Sequence, residues 1–163
     1  MKSPGDNNRA RSIRTWAKAA MFLVLGLPLP ASGVLGANTD SVQNDQVYLQ
    51  ADVRIVGGEM YVIHELRTPT GIVVREYVSP DQQVFAATWR SPFIPDLKQL
   101  LGGYFDQYLQ AVKKLRQGQV GHSSLNIRQS DIVFQASGHM RPYFGRAYDP
   151  SLVPAGVGAD ALR

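Results

Sequence analysis

The feature that most constrains the fold of this chain is an apolar stripe with helical spacing between residues 97 and 115. Its members recur at steps of three and four residues: Leu97, Leu100, Leu101, Tyr104, Phe105, Tyr108, Val112 and Leu115. Pro95 suits a helix start, Asp96 can cap free amides, and Gln99 stands in the reciprocal position of a capping box. The pattern predicts one long amphipathic helix whose apolar face packs on another element. Gly102 and Gly103 within it indicate either close approach to that element or a kink.

Three apolar runs precede the helix, at residues 61–67, 72–78 and 84–89. They are rich in β-branched and aromatic residues and are separated by turns that contain proline, at 68–71 and 79–82. This pattern predicts three antiparallel strands in a meander, because a Pro-containing turn joins strands that pair with each other. A first turn centred on Pro69 and Thr70 would place His64 opposite Arg75 and Ile63 opposite Glu76.

Weaker patterns extend the sheet on both sides. A short helix beginning at Asp40 or Ser41 is followed by a candidate strand at 51–56, which the Gly57-Gly58 turn would join to the meander. Beyond a loop at 117–124, residues 125–128 and 131–136 are typical of two more strands, and 139–148 of either a strand or a structured loop. The predicted fold class is α+β: an antiparallel sheet of five or six strands with one long amphipathic helix packed on a face.

The first 33 residues have the pattern of a cleaved export signal. A basic region precedes an apolar run at 19–27, two prolines end the run, and Ala31-Ser-Gly33 provides small residues at the cleavage site. An uncleaved anchor is the alternative, but the run is far shorter than the roughly 20 residues of a spanning helix. We expect a periplasmic or secreted protein of bacterial type, formed by residues 34–163 as one domain. From about residue 149 we expect an extended tail, pinned only by Leu152 and Val153.

Removal of the leader changes the charge of the chain. The full sequence has 17 basic and 13 acidic residues, and five of the basic and one of the acidic residues lie in the first 33. The remainder is near neutral, which argues against nucleic acid as a partner. No later run is long and apolar enough to predict a membrane span. The chain has no Cys, so a domain in an oxidising compartment would be held by packing alone.

Several motifs resemble an uncharacterised bacterial family, DUF2844. They are Thr68-Pro-Thr-Gly-Ile-Val-Val-Arg-Glu-Tyr-Val-Ser-Pro-Asp81, Val84-Phe85, Thr88-Trp89, Pro95-Asp96-Leu97, Gln99-Leu-Leu-Gly102, Tyr104-Phe105, Gly138-His-Met-Arg141, Gly145-Arg-Ala-Tyr148 and Val153-Pro-Ala-Gly-Val157. Gln82 departs from the family pattern, which has Gly after Pro-Asp, and a positive φ costs Gln more than Gly. The resemblance implies an exported protein of unknown function and supplies no catalytic residues.

No common catalytic signature is present. The chain has no Cys, no Gly-x-Ser-x-Gly motif and no phosphate-binding loop, and its histidines do not pair at metal-ligand spacing. We therefore expect no cofactor and no metal site. The remaining catalytic candidates are His64, Glu76 and His139, because a carboxylate on an apolar face has a raised pKa and can act as a base. The alternatives are a hydrogen-bonded histidine at the core edge and ordinary cross-strand ion pairs.

Residues 138–148 combine cations, aromatic rings and a histidine, which favours a binding surface. The candidate binding residues are His139, Arg141, Tyr143, Phe144, Arg146 and Tyr148. We expect a non-enzymatic binding or assembly protein whose partner is an unknown protein or a cell-envelope ligand. A small hydrolase with a His and carboxylate site is the alternative.

Overall fold

A computed structural model describes residues 34–116, 124–138 and 142–163. The predicted export signal, most of the predicted loop at 117–124, and the candidates His139 and Arg141 lie outside these ranges. The first helix, α1, spans Asp40–Leu49. Gln50, whose backbone has the left-handed conformation, ends this helix, and the chain then enters the sheet.

Four strands follow α1 as an antiparallel meander, as the sequence predicts. They are β1 Asp52–Gly57, β2 Val62–Arg67, β3 Val73–Val78 and β4 Val84–Ser91. The predicted register of β2 and β3 is wrong by one residue: His64 lies opposite Glu76, and Glu65 opposite Arg75. The reason is the turn, which closes between Thr68 and Ile72 and places Gly71 at a φ of +86°, so it has three residues instead of two.

The long helix is present, but a turn of 3₁₀ helix interrupts it. Helix α2 spans Leu97–Leu101, the 3₁₀ turn Gly102–Tyr104, and α3 Phe105–Arg116. Gly102 has a φ of +51°, and a side chain at Gly103 would meet open space. The glycines therefore serve the irregular turn and not a close approach at Gly103.

The N-terminal cap of α2 contains one of the two predicted interactions, the cap by Asp96. Asp96 accepts hydrogen bonds from the backbone amides of Lys98 and Gln99, at 3.0 and 3.2 Å. The Gln99 side chain does not complete a capping box; its amide donates to Asp45 of α1. This contact ties α1 to α2 over the sheet.

Three further strands make the sheet seven-stranded, so the predicted count of five or six is wrong. They are β5 Ser124–Arg128, β6 Val133–Gly138 and β7 Tyr143–Tyr148. The sheet order is β1-β2-β3-β4-β7-β6-β5, and every pair is antiparallel. The helical segment carries the chain from β4 to the far edge, and β7 returns beside β4. For residues 139–148 the sequence allows either a strand or a structured loop. Residues 143–148 form a strand in the interior of the sheet.

The two faces of the sheet are covered differently. The helix face carries the main core, where Leu66, Val74, Trp89 and Phe134 pack with Leu100 and Leu101 of α2. Within the predicted stripe, Leu115 is 44 % exposed and lies outside this core. The opposite face, which we call the groove face, carries a smaller cluster built on Tyr77, Phe85 and Leu162.

Residues 149–163 cross one end of the groove face. Leu152 and Val153 pack in the cluster of Tyr77 and Phe85, and so do Val157 and the buried Leu162, so the segment is held by more than the two residues expected from the sequence. A short 3₁₀ helix, Ala159–Ala161, precedes Leu162. We call residues 159–163 the strap, because they lie across the strands.

Candidate functional site

Two carboxylates are buried together on the helix face. Asp45 of α1 and Glu76 of β3 both have no exposed area. The Gln99 amide donates to Asp45 Oδ1 at 2.5 Å. Asp45 Oδ2 and both carboxylate oxygens of Glu76 receive no hydrogen bond from another described residue. A proton held by Glu76 and donated to Asp45 would satisfy two of these atoms.

The electrostatics of this acid pair favour that shared proton. Burial, with the Asp45 charge as a second cause, raises the pKa of Glu76 to about 9. Burial likewise raises the pKa of Asp45 to about 6, against the lowering effect of the Gln99 hydrogen bond. At neutral pH Glu76 is therefore a neutral acid beside the Asp45 carboxylate.

His64 lies directly opposite Glu76 on the same face, so two of the three catalytic candidates are neighbours. Burial lowers the pKa of His64, which favours the neutral imidazole. Glu76 has no exposed area, and its side chain lines neither the depression around Arg75 and Arg146 nor the one around Ile94 and Tyr108. A hydrolase would need substrate to reach this carboxylate, which is buried in this structure.

Strand alternation divides the candidate binding residues of β7 between the two faces. Phe144, Arg146 and Tyr148 lie on the groove face, opposite Arg90, Thr88 and Ala86 of β4. Tyr143 points to the helix face, toward Gly138. Tyr148 packs in the Tyr77 cluster, whereas Phe144 is 52 % exposed.

A row of polar side chains crosses the groove face from one edge of the sheet to the other. Each strand contributes one member, and neighbours in the row are register partners: Arg54, Glu65, Arg75, Thr88, Arg146, Gln135 and Asn126. Strands are about 4.8 Å apart, so the row extends over roughly 29 Å. We call it the polar row.

Five of the seven members of the polar row line a groove of about 750 Å³: Arg75, Thr88, Arg146, Gln135 and Asn126. Five arginines line the groove, and no Asp or Glu is among its described lining residues: Arg67, Arg75, Arg90, Arg146 and Arg163. Ser124, Asn126, Gln135 and Ser137 provide neutral polar groups at its far end. The groove is thus a concave, cationic surface.

One carboxylate beside the groove compensates two of these cations. Arg75 Nε donates to Glu65 Oε2 at 2.6 Å, and Arg67 Nε donates to Glu65 Oε1 at 2.8 Å. The hydrogen bond from Arg75 lowers the pKa of Glu65, which keeps it ionised. The sequence predicts cross-strand ion pairs of this kind without assigning the partners, and Glu65 with Arg75 is one such pair.

Arg90 and Phe144 form an exposed part of the groove. They are register partners on β4 and β7, and both side chains are exposed. The Arg90 side chain has no hydrogen bond or ion pair within the described part of the chain. A guanidinium with free donors therefore lies beside a flat apolar ring.

Sequence reasoning missed Arg67, Arg75 and Arg90 as site residues because they lie on three different strands. The signal that finds them is the alternation of polar residues within each strand, combined with the correct register. The predicted one-residue slip between β2 and β3 removes that signal, since it moves Glu65 and Arg75 out of alignment.

Comparison with known proteins bears on the family and not on the groove. The family's sequence profile matches residues 31–162. The chain belongs to the DUF2844 family. This family is described as a protein of unknown function, and the predicted resemblance is confirmed. No curated protein and no solved structure matches the chain.

The fold explains one of the motifs that carry the DUF2844 resemblance. Gly145 lies opposite Trp89, and the Trp89 ring covers the place where a side chain would stand. Among the residues described for this DUF2844 chain, no group of His, Cys, Asp and Glu could hold a metal ion. No helix in the same ranges is long and apolar enough to cross a membrane.

Proposed function

We propose that this protein is an exported, non-enzymatic binding protein whose groove holds a small organic acid. The observation that carries the proposal is the excess of arginines in the groove: five line it, and Glu65 compensates only two. Arginine presents planar donor pairs that match a carboxylate, and a fixed set of them favours an anion over a neutral ligand.

The size and composition of the groove support a small ligand with an apolar part. A volume of about 750 Å³ lies within the usual range for small-molecule sites. Phe144 and Val73 provide apolar surface beside Arg90. A flat organic acid can place its carboxylate on the arginines while its apolar face stacks on Phe144.

The cellular location belongs to the same proposal. Residues 1–33 have the pattern of an export signal, with a basic region, a short apolar run and a small-residue cleavage site. We infer a periplasmic or secreted protein that meets its ligand in the cell envelope or outside it. N-terminal sequencing of the exported form tests this, and the expected first residue is Val34; a chain that keeps Met21 would contradict it.

Calorimetric titration of residues 34–163 with 2-naphthoate tests the binding proposal. This probe combines a carboxylate with a flat apolar ring, and 2-naphthamide is its neutral counterpart. The carboxylate should bind and the amide should not, because only the carboxylate accepts charge-assisted hydrogen bonds.

The matched protein variants are Arg90→Ala and Arg128→Ala. Arg128 is also an exposed arginine on the groove face, but it lies outside the groove. Arg90→Ala should weaken 2-naphthoate binding by about tenfold or more, the equivalent of one charge-assisted hydrogen bond, whereas Arg128→Ala should leave it unchanged. Equal binding of acid and amide, or equal losses in the two variants, would contradict the proposal.

A further inference from the structure

A single main-chain oxygen in the strap receives three hydrogen bonds from the groove face. The Arg163 oxygen accepts from Arg75 Nη1 at 2.7 Å, from Tyr77 Oη at 2.8 Å and from Thr88 Oγ1 at 3.3 Å. The donors come from adjacent strands, so the sheet fixes their positions. We call these three side chains the cradle.

The cradle directs three donors at this one oxygen. Hydrogen bonds from a guanidinium are stronger when the acceptor is ionised. Tyr77 and Thr88 are 1 % and 5 % exposed, so their hydroxyls are held in place by packing. Such a set of donors suits a carboxylate oxygen.

The rest of the strap also uses donors of the polar row. Arg146 Nη1 donates to the Ala159 oxygen at 2.5 Å and lies 3.4 Å from the Leu162 oxygen. The Leu162 side chain anchors the strap in the Tyr77 cluster and is 3 % exposed. The strap therefore occupies, with its own oxygens, donors that border the groove.

We infer that the cradle of Arg75, Tyr77 and Thr88 is a carboxylate subsite of the groove, which the strap fills in the free protein and the ligand's carboxylate takes over on binding. This inference rests on the proposed function, because the ligand is the same organic acid. The strap acts as an internal competitor, and the apparent affinity of the groove is reduced by the fraction of molecules in which the strap is docked.

Amide exchange at Arg163 reports the position of the strap. Its backbone N–H donates to Tyr77 Oη at 3.0 Å, which protects it while the strap is docked. In ¹⁵N NMR of residues 34–163, saturating 2-naphthoate should speed this exchange at least about tenfold, since the docked fraction falls. Binding of 2-naphthoate with unchanged or slower exchange would overturn the inference and leave the proposed function standing.

A strap variant separates the two proposals further. Leu162→Ala loosens the anchor without removing a donor, and Leu152→Ala removes a similar side chain from the same cluster away from the cradle. Leu162→Ala should bind 2-naphthoate at least about threefold more tightly than the wild type, because fewer molecules have a docked strap. Leu152→Ala should match the wild type. Leu162→Val serves the same purpose if the alanine variant does not fold.

The possible outcomes are distinct. Tighter binding by Leu162→Ala alone supports the inference, even if the wild type binds too weakly to measure. Equal affinity of the wild type and both variants overturns it. Absence of binding in all of them overturns the proposed function and this inference together.

Discussion

At the scale of single residues, the chain holds two glutamates with opposite environments on adjacent strands. Glu76 is buried beside Asp45 and has a raised pKa, whereas Glu65 is paired with Arg75 and has a lowered one. In the sequence, both glutamates lie in runs of alternating polar and apolar residues, and nothing there distinguishes their environments. The difference comes first from the burial of Glu76 and second from Asp45 of helix α1, and no local pattern predicts that these two carboxylates meet.

The first prediction concerns the pH dependence of stability. The folded state keeps a proton on Glu76 up to about pH 9, whereas the unfolded chain releases it near its ordinary value of 4.5. The free energy of unfolding should therefore fall as the pH rises between these values. Glu76→Gln keeps the shape of the neutral acid and should raise the free energy of unfolding at pH 8 by about 1–3 kcal/mol.

Urea melts at pH 6 and pH 8 measure this effect, and Glu65→Gln is the control. Glu65 has a lowered pKa, so its ionised form stabilises the fold above its ordinary value, and that stability is lost as the pH falls. Glu65→Gln should therefore destabilise at pH 8. A shift of both variants in the same direction would contradict the assignment of the acid pair.

The second prediction concerns Gly145. A side chain there would meet the Trp89 ring and would stand 2.7 Å from the Gln135 oxygen. Gly145→Ala should cost about 1–3 kcal/mol through overpacking. Gly103→Ala, which enters open space, should be neutral or stabilise by up to about 1 kcal/mol. Thermal melts compare the two, and equal effects would show that Trp89 does not pack as described.

At the scale of elements, the helix and the β1–β4 meander are the parts that the sequence predicts best. Their signals are local: a stripe at helical spacing, alternating apolar runs, and turns marked by Pro and Gly. The register of β2 and β3 was missed because the same four residues permit a two- or a three-residue turn. The closure of the turn between Thr68 and Ile72, with Gly71 at a positive φ, selects the three-residue turn.

The third prediction tests the helix as a core element. Leu101 has no exposed area and packs between α2 and the sheet. Leu101→Ala should lower the free energy of unfolding by about 2–5 kcal/mol. Leu109 on α3 is 46 % exposed, so Leu109→Ala should change it by about 0.5 kcal/mol or less. Urea melts measure both, and a loss below about 0.5 kcal/mol for Leu101→Ala would mean that the stripe does not face the core.

At the scale of the whole molecule, the strand order creates the groove. Because β7 lies between β4 and β6, Arg146 and Phe144 stand beside Arg75 and Arg90. Residues 143–148 show the chemistry of a binding surface in the sequence, but nothing local indicates that they pair with β4. The sequence therefore identified Phe144 and Arg146 as candidates and gave no indication of the arginines that they join.

The most direct test of the groove is to map where an organic acid contacts the arginines. In ¹⁵N NMR of residues 34–163, the Nε–Hε signals of Arg67, Arg90 and Arg146 should shift on addition of 2-naphthoate. Those of Arg54 and Arg128, which lie on the same face outside the groove, should not. Shifts confined to Arg54 and Arg128, or no shifts at millimolar 2-naphthoate, would contradict a binding site on the groove face.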